Sequence, residues 1–357
     1  MRVDQVIPSL AARDAIGVHT LAIADGLRSA GVDSEIFYGD CATELLKRAR
    51  PVGALGRPAK DRWLLYQSSI GSPVFDAFAT RPEPKLVNYH NITPASLLES
   101  WEPGVGYEAG LGREQLGRIA PHCRLAIADS AFNESELIDA GFARTAVASL
   151  LIDMTVHAQA DAGTLRRLRA PKANGGPDFL FVGKVSPHKA PHDLVKMLAV
   201  YRRLYHPDAR LHLVGAPLGR RYGPSLDAFV DELGLSDAVS VTGSVQPEEL
   251  EAYYRAADVF VCASDHEGFC VPIVEAMAHD LPVVAFAAGA VPETVKEAGL
   301  LLPSKDPLLF AAAVNRVMED EALRRQFSRA AALRVETFSL DRARTRFVEL
   351  VVEAIGV

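Results

Sequence analysis

Closely spaced cysteines are missing from this sequence: Cys41, Cys123, Cys262 and Cys270 stand apart, with no Cys-x-x-Cys among them. That scatter indicates neither a zinc cage nor a disulfide framework, and buried free thiols are the simple reading. Nowhere do two aspartates stand two residues apart, which removes one common way of holding a divalent ion. Long apolar runs are absent too, and nothing approaches the roughly 20 residues of a membrane span. The opening Met1-Arg2-Val3-Asp4-Gln5 puts an acid where a secretory signal needs an apolar stretch, so a cytoplasmic protein is expected. Excess basic charge is lacking: a net charge of −7 and a pI near 5.8 argue against nucleic acid as a partner.

Aromatic residues make up only 7% of a chain that is 49% hydrophobic, and Ala, Val and Leu supply much of the rest. This balance suits buried parallel strands flanked by helices better than an antiparallel sandwich. At 357 residues the chain exceeds what one core usually organises, and two α/β domains are expected. Strand-like runs at residues 3–8, 34–38, 63–67, 86–90 and 125–128 alternate with helix-patterned segments, the signature of crossover units and a parallel sheet. A strand ending at Pro8, a polar loop through Arg13 and Asp14, and a helix from Gly17 to a stop at Gly31 make a first strand-loop-helix unit. The alternation breaks between Leu151 and Gly176. There a short Arg-rich helix candidate and Pro171-Lys172-Ala173-Asn174-Gly175-Gly176-Pro177 read as an interdomain hinge. It restarts at 179–183, 211–215, 239–243, 259–263, 283–286 and 300–302. The expected domains are 1–160 and a doubly wound 161–339, with the apolar helical pattern of 340–357 packing back onto the first.

Two stretches of the second half carry chemistry. In Ser264-Asp265-His266-Glu267-Gly268-Phe269-Cys270-Val271-Pro272-Ile273-Val274-Glu275, a buried strand runs into a glycine-containing loop, and Pro272 fits the first position of a helix. The amides from Gly268 to Val271 then sit at a helix N-terminus, where partial positive charge favours an anion or a polar hydroxyl. Glu275, on the first turn, either grips a vicinal diol or simply complements the helix dipole. Glu267 in the loop is either a ligand contact or a solvated acid. In Phe181-Val182-Gly183-Lys184-Val185-Ser186-Pro187-His188-Lys189, two cations bracket a loop at the carboxyl end of a strand, where they either neutralise a diphosphate or are plain surface lysines.

Gly183-Lys184 with Lys189, Glu267-Gly268-Phe269 with Glu275, and Gly289-Ala290-Val291-Pro292-Glu293 together resemble, in order and spacing, the signature of retaining family-four glycosyltransferases, over most of residues 179–303. The resemblance implies a GT-B fold: two Rossmann-like domains facing a central cleft, the C-terminal one holding a nucleotide-sugar donor and the N-terminal one meeting the acceptor. It implies that Lys184 and Lys189 contact the donor diphosphate and Glu275 the ribose. Glu267, with the amides of Gly268, Phe269, Cys270 and Val271, then meets the transferred sugar. Where the family usually has Arg, this chain has Lys184, a point charge without the bidentate fork. Cys270 stands where a small Gly is common. Tyr89-His90-Asn91-Ile92-Thr93-Pro94 resembles the family's histidine-bearing loop facing the donor sugar, and the loop 8–17 its phosphate-facing first loop, reduced to the single Gly17.

Glu267, His90 and Lys189 are thus the expected catalytic residues, and Gly17, Lys184, Lys189, Gly268, Phe269, Cys270, Val271 and Glu275 the donor-binding ones. No cofactor or metal is expected, because two lysines and helix N-termini can stabilise the departing diphosphate instead. Retention by a covalent intermediate or by same-face attack stays open. Rival readings are a nucleotide-sugar epimerase or a glycan phosphorylase of the same fold, or a catalytically silent sugar-nucleotide-binding subunit. A glycan or a lipid-linked molecule is the expected acceptor. Lys47, Arg48, Arg50, Arg57, Lys60 and Arg62 form either a basic face for peripheral contact with the inner side of a membrane or an ordinary solvated segment.

Overall fold

A computed structural model describes residues 1–11, 14–153, 158–170 and 175–356 of the chain. They cluster into two compact units: 1–96 with 104–153 and 338–357, and 97–103 with 154–337. The first contains β1 (Arg2–Leu10), α1 (Ala15–Ser29), β2 (Ile36–Cys41), β3 (Arg50–Pro51), β4 (Arg62–Ser68), α2 (Val74–Ala79), β5 (Lys85–Tyr89), α3 (Pro103–Ile119), β6 (Cys123–Ala128), α4 (Ala131–Asp139) and β7 (Thr145–Val147). The second contains α5 (Ala162–Arg169), β8 (Asp178–Val182), α6 (Pro191–Leu204), β9 (Arg210–Val214), α7 (Tyr222–Glu232), β10 (Val239–Val241), α8 (Pro247–Ala256), β11 (Val259–Cys262), α9 (Val271–Ala278), β12 (Val283–Phe286), α10 (Val291–Val295), β13 (Gly299–Leu302), α11 (Pro307–Glu319) and α12 (Glu321–Thr337). A last helix, α13 (Leu340–Ile355), returns to the first unit.

Both sheets are parallel throughout, in the order β3-β2-β1-β4-β5-β6-β7 and β10-β9-β8-β11-β12-β13. Runs such as Val259-Phe260-Val261-Cys262 and Val283-Val284-Ala285 are buried on both faces, which is why they read as continuous apolar segments rather than alternating ones. The strand order reverses direction between β1 and β4 and between β8 and β11. In open α/β sheets that switch point is where the loops diverge and leave a crevice at the carboxyl ends of the strands.

The structure departs from the sequence reading in several places. β1 continues past Pro8, because Ser9 and Leu10 keep pairing with Asp40 and Cys41 of β2 and Gly39 leaves room against the Pro8 carbonyl. Strands β3 and β7 were not anticipated; each is too short for a pattern. α1 starts at Ala15, two residues before Gly17, and closes with Gly31 at a φ of 79°. The Arg-rich candidate before the second sheet is α5, whereas residues 171–174 of the expected hinge lie outside the described residues. Residues 97–103 join the second unit, where Trp101 meets the Tyr222 ring edge-on at 5.2 Å and Glu102 accepts from the Arg220 and Arg221 amides. Arg62 does not belong to the basic face. It is buried, donates to the Leu55 carbonyl at 2.7 Å and pairs with Glu83 at 3.2 Å, while Arg48 is tied to Asp25 and Arg50 to Glu35. Among the described residues no helix is long and apolar enough to cross a membrane.

α13 covers one face of the first sheet with Phe347, Leu350 and Val351, packed with Ile23, Leu27 and Leu65. Phe347 is fully buried, and truncating a buried phenylalanine leaves a cavity that relaxes only in part. Phe347→Ala is expected to cost about 3–5 kcal/mol in denaturant unfolding of the first unit. A loss below about 1 kcal/mol would show that α13 is not integral to this core.

Candidate functional site

The loops after β8 and β11, the two strands flanking the second switch point, carry Lys184, Lys189, Glu267, Gly268, Phe269 and Cys270 of the expected residues. After β8, Gly183 adopts a φ of 149° and its carbonyl is approached so closely by Gly215 that a Cβ there would lie 2.0 Å away. Both positions therefore demand glycine. The chain then makes a single tight turn, Pro187–Lys189, and enters α6 through Ala190 in the left-handed region. This turn separates the two lysines. Lys184 is exposed, whereas Lys189 is turned inward and its Nζ lies 2.5 Å from Glu267 Oε2. Burial alone would lower the Lys189 ammonium, but the Glu267 carboxylate outweighs it and holds Lys189 above the usual lysine value.

After β11, the segment from Ser264 to Cys270 is held at three points. Asp265 donates its amide to the His188 carbonyl at 2.8 Å, tying the two loops together. Ala290 donates to the Glu267 carbonyl at 2.9 Å, and Thr294 Oγ1 donates to the Phe269 carbonyl at 2.7 Å. Gly289 permits the Ala290 contact, since a Cβ there would lie 2.5 Å from the Glu267 carbonyl. Thus the stretch from Gly289 to Thr294 works as a bracket for the glutamate loop. Lys305 adds a clamp, reaching Asp265 at 2.6 Å and Asp193 at 2.8 Å.

α9 begins one residue earlier than the position of Pro272 suggests. Cys270 takes the left-handed conformation (φ 69°) and turns the chain, so Val271 is the first helical residue, Pro272 the second and Glu275 the fifth, beyond the first turn. A plain helix-dipole role for Glu275 therefore weakens, because that effect falls off within the turn. Its carboxylate instead accepts a hydrogen bond from Tyr254 of α8 at 2.7 Å. Tyr254 stacks on His279 at 4.6 Å, and His279 bonds Glu251 at 2.8 Å. Burial pushes Glu275 above the ordinary carboxylate value, with the Tyr254 hydroxyl and the His279 charge opposing. None of Tyr254, His279, Asp265 or Lys305 was legible as a site residue; only proximity in space selects them.

In the first unit, His90 follows β5 and is the middle of a buried polar row. Its Nδ1 lies 2.9 Å from Asp129 and its Nε2 2.7 Å from Gln67, which also bonds Gln5 of β1 and Asn88 of β5. His19 of α1 joins at 2.7 Å from Asn88 and accepts the Leu151 amide at its Nδ1. Burial, then the neighbouring His90, drive His19 well below the usual histidine value, so it is neutral. Gly17 lies in α1 with a Cβ position 2.0 Å from the Ala11 carbonyl, a close approach that only glycine allows. His90 and Gly17 are expected site residues; His19, Asp129 and Gln67 were not singled out.

Residues 167–334 match the family model described as glycosyl transferases group 1. A D-inositol 3-phosphate glycosyltransferase of Thermomonospora curvata is 29% identical over 84% of this chain and 68% of its own length. Another from Geodermatophilus obscurus is 33% identical over 81% and 62%. About a third of each relative thus has no counterpart in the matched region. Among solved structures, HepE of Anabaena in complex with UDP-glucose superimposes with a TM-score of 0.78 at 20% identity, covering 99% of this chain and all of that one. Sucrose-phosphate synthase of Thermosynechococcus elongatus gives 0.77 at 20% identity, over 100% and 99%. At such identities the likeness is one of fold, and the fold is GT-B: two Rossmann-like α/β units with parallel sheets.

Because the fold disfavours the ionised form of Glu275, the wild type loses stability as pH rises from the ordinary carboxylate value of 4.5 through the higher native one. Glu275→Gln, which can still accept from Tyr254, is expected to melt higher than wild type at pH 8, with the difference vanishing well below 4.5. An equal or lower melting temperature at pH 8 would show that the buried carboxylate is not strained.

Proposed function

We propose that the chain, whose residues 167–334 match the glycosyl transferases group 1 model, is a retaining, metal-independent glycosyltransferase that moves a hexose from a GDP- or UDP-sugar to an acceptor hydroxyl, in glycan, polysaccharide or glycolipid synthesis. The observation that carries the reading is the Lys189–Glu267 pair at the switch point of the second sheet, with Glu275 presented one turn into the following helix. In this reading Glu275, oriented by Tyr254, accepts from the ribose hydroxyls. The exposed Lys184 and the ammonium of Lys189 balance the diphosphate. Glu267 and the amides of Gly268 to Val271 hold the sugar, and His90 is the catalytic contribution of the first unit.

The reaction breaks the bond from the anomeric carbon to the phosphate oxygen and forms one from the acceptor oxygen on the same face of the sugar. The acceptor proton passes to the departing phosphate oxygen, and the nucleoside diphosphate leaves. Stabilising that diphosphate is the main electrostatic demand, and fixed cations meet it without reorganisation. Two relatives are named for D-inositol 3-phosphate, so it is the first acceptor to try with a panel of GDP- and UDP-sugars.

Turnover is expected to persist in excess chelator; abolition by chelator with rescue by manganese contradicts a metal-free reaction. Glu275→Ala is expected to weaken binding of the bare nucleoside diphosphate by about 1.5–3 kcal/mol, the worth of lost charged hydrogen bonds. Glu267→Ala should leave that binding nearly intact and lower turnover ~10²–10³-fold, as removal of one transition-state contact does. Calorimetry with the diphosphate and turnover with the full donor read the two effects. Equal loss of nucleotide affinity in both variants, with proportionate turnover, defeats the separation of roles.

A further inference from the structure

We propose that Cys262, Cys270 and Glu267 form a binding site for a thiophilic divalent ion of the Zn²⁺ class, distinct from any ion used in the reaction. Cys262 ends β11 and Cys270 precedes α9, and the intervening loop folds back so that the two sulfurs lie within 4.8 Å of each other, with Cys262 Sγ donating to Ser264 Oγ at 3.3 Å. One ligand atom from each of Cys262, Cys270 and Glu267 lies within 4.8 Å of the other two, and all three residues are buried. Two soft sulfurs and one carboxylate are a donor set suited to zinc, with a fourth position left open. Cys270 also occupies a left-handed backbone conformation that favours glycine, so a thiol is held there against the local preference.

Charge balance favours the exchange. Without metal the cluster holds two neutral thiols, the Glu267 carboxylate and the Lys189 ammonium, which sum to zero. A divalent ion entering displaces the two thiol protons to solvent, and two thiolates, the carboxylate, the ion and the ammonium again sum to zero. No uncompensated charge is buried at any stage, which is the usual obstacle to an ion at such depth. The metal takes over Glu267 from Lys189, so the loaded form separates the pair that joins the two loops.

The test is titration of the reduced full chain with Co²⁺, then Zn²⁺. Wild type is expected to bind one equivalent of Co²⁺ with thiolate-to-metal absorption in the near ultraviolet and tetrahedral visible bands, both lost when Zn²⁺ is added. Cys270→Gly, which the left-handed backbone accommodates, and Cys262→Ala should each lose the thiolate absorption. Cys41→Ser and Cys123→Ser should keep it. No thiolate absorption in wild type, or its persistence in Cys270→Gly with circular dichroism unchanged, overturns the proposal. The readout is binding, so a failure of the nucleotide-sugar reading, seen with Glu275→Ala, leaves this result unaffected.

Discussion

The second unit is organised around one ion pair. Lys189 comes from the turn after β8 and Glu267 from the loop after β11, and their contact at 2.5 Å closes the space between the two strands at which the sheet changes direction. Each partner would be costly alone, because both side chains are largely withdrawn from water. The surrounding hydrogen bonds reinforce the same junction: the Asp265 amide to the His188 carbonyl, the Ala290 amide to Glu267, and Lys305 across to Asp193. Loops that carry function are usually the mobile part of a fold, and here a scaffold of parallel strands and these cross-links restrains them.

The acids of this unit are set apart by their surroundings rather than by their type. Glu267 faces a cation, the ammonium of Lys189. Glu275 faces a tyrosine hydroxyl, with burial working against its ionised form. A hydroxyl-rich ligand can supply the missing donors to Glu275, whereas Glu267 is already committed to Lys189 and answers to whatever disturbs that pair. Environment thus gives two glutamates eight residues apart different electrostatic surroundings.

The first unit shows a different use of buried polarity. Gln5, Gln67 and Asn88, on three adjacent strands, carry a hydrogen-bonded row to His90 and Asp129 at the carboxyl ends of β5 and β6. The row holds the His90 ring between Gln67 and Asp129 and so fixes its orientation. His19 supports the row from α1 while remaining neutral.

Much of this was legible in the sequence, because parallel strands buried on both faces leave continuous apolar runs and helices a 3.6-residue period. The two sheets, the glycines at 183 and 289, the lysines and the glutamates all belong to local patterns of that sort. Pro8 was a misleading stop, since strand pairing continued past it, and Pro272 a misleading start, since the left-handed Cys270 moved the helix by one residue. What the sequence by itself determined was the alternation of strands and helices and the residue types at each loop. Only the tertiary structure decided that Lys184 faces solvent while Lys189 pairs with Glu267, that Tyr254 orients Glu275, that Arg62 is a core ion-pair partner, and that the sulfurs of Cys262 and Cys270 come within 4.8 Å of each other. The physical reason is that local propensity and periodicity act within a few residues, whereas these contacts join segments 8 to 78 positions apart and exist only once the sheet has set its strand order.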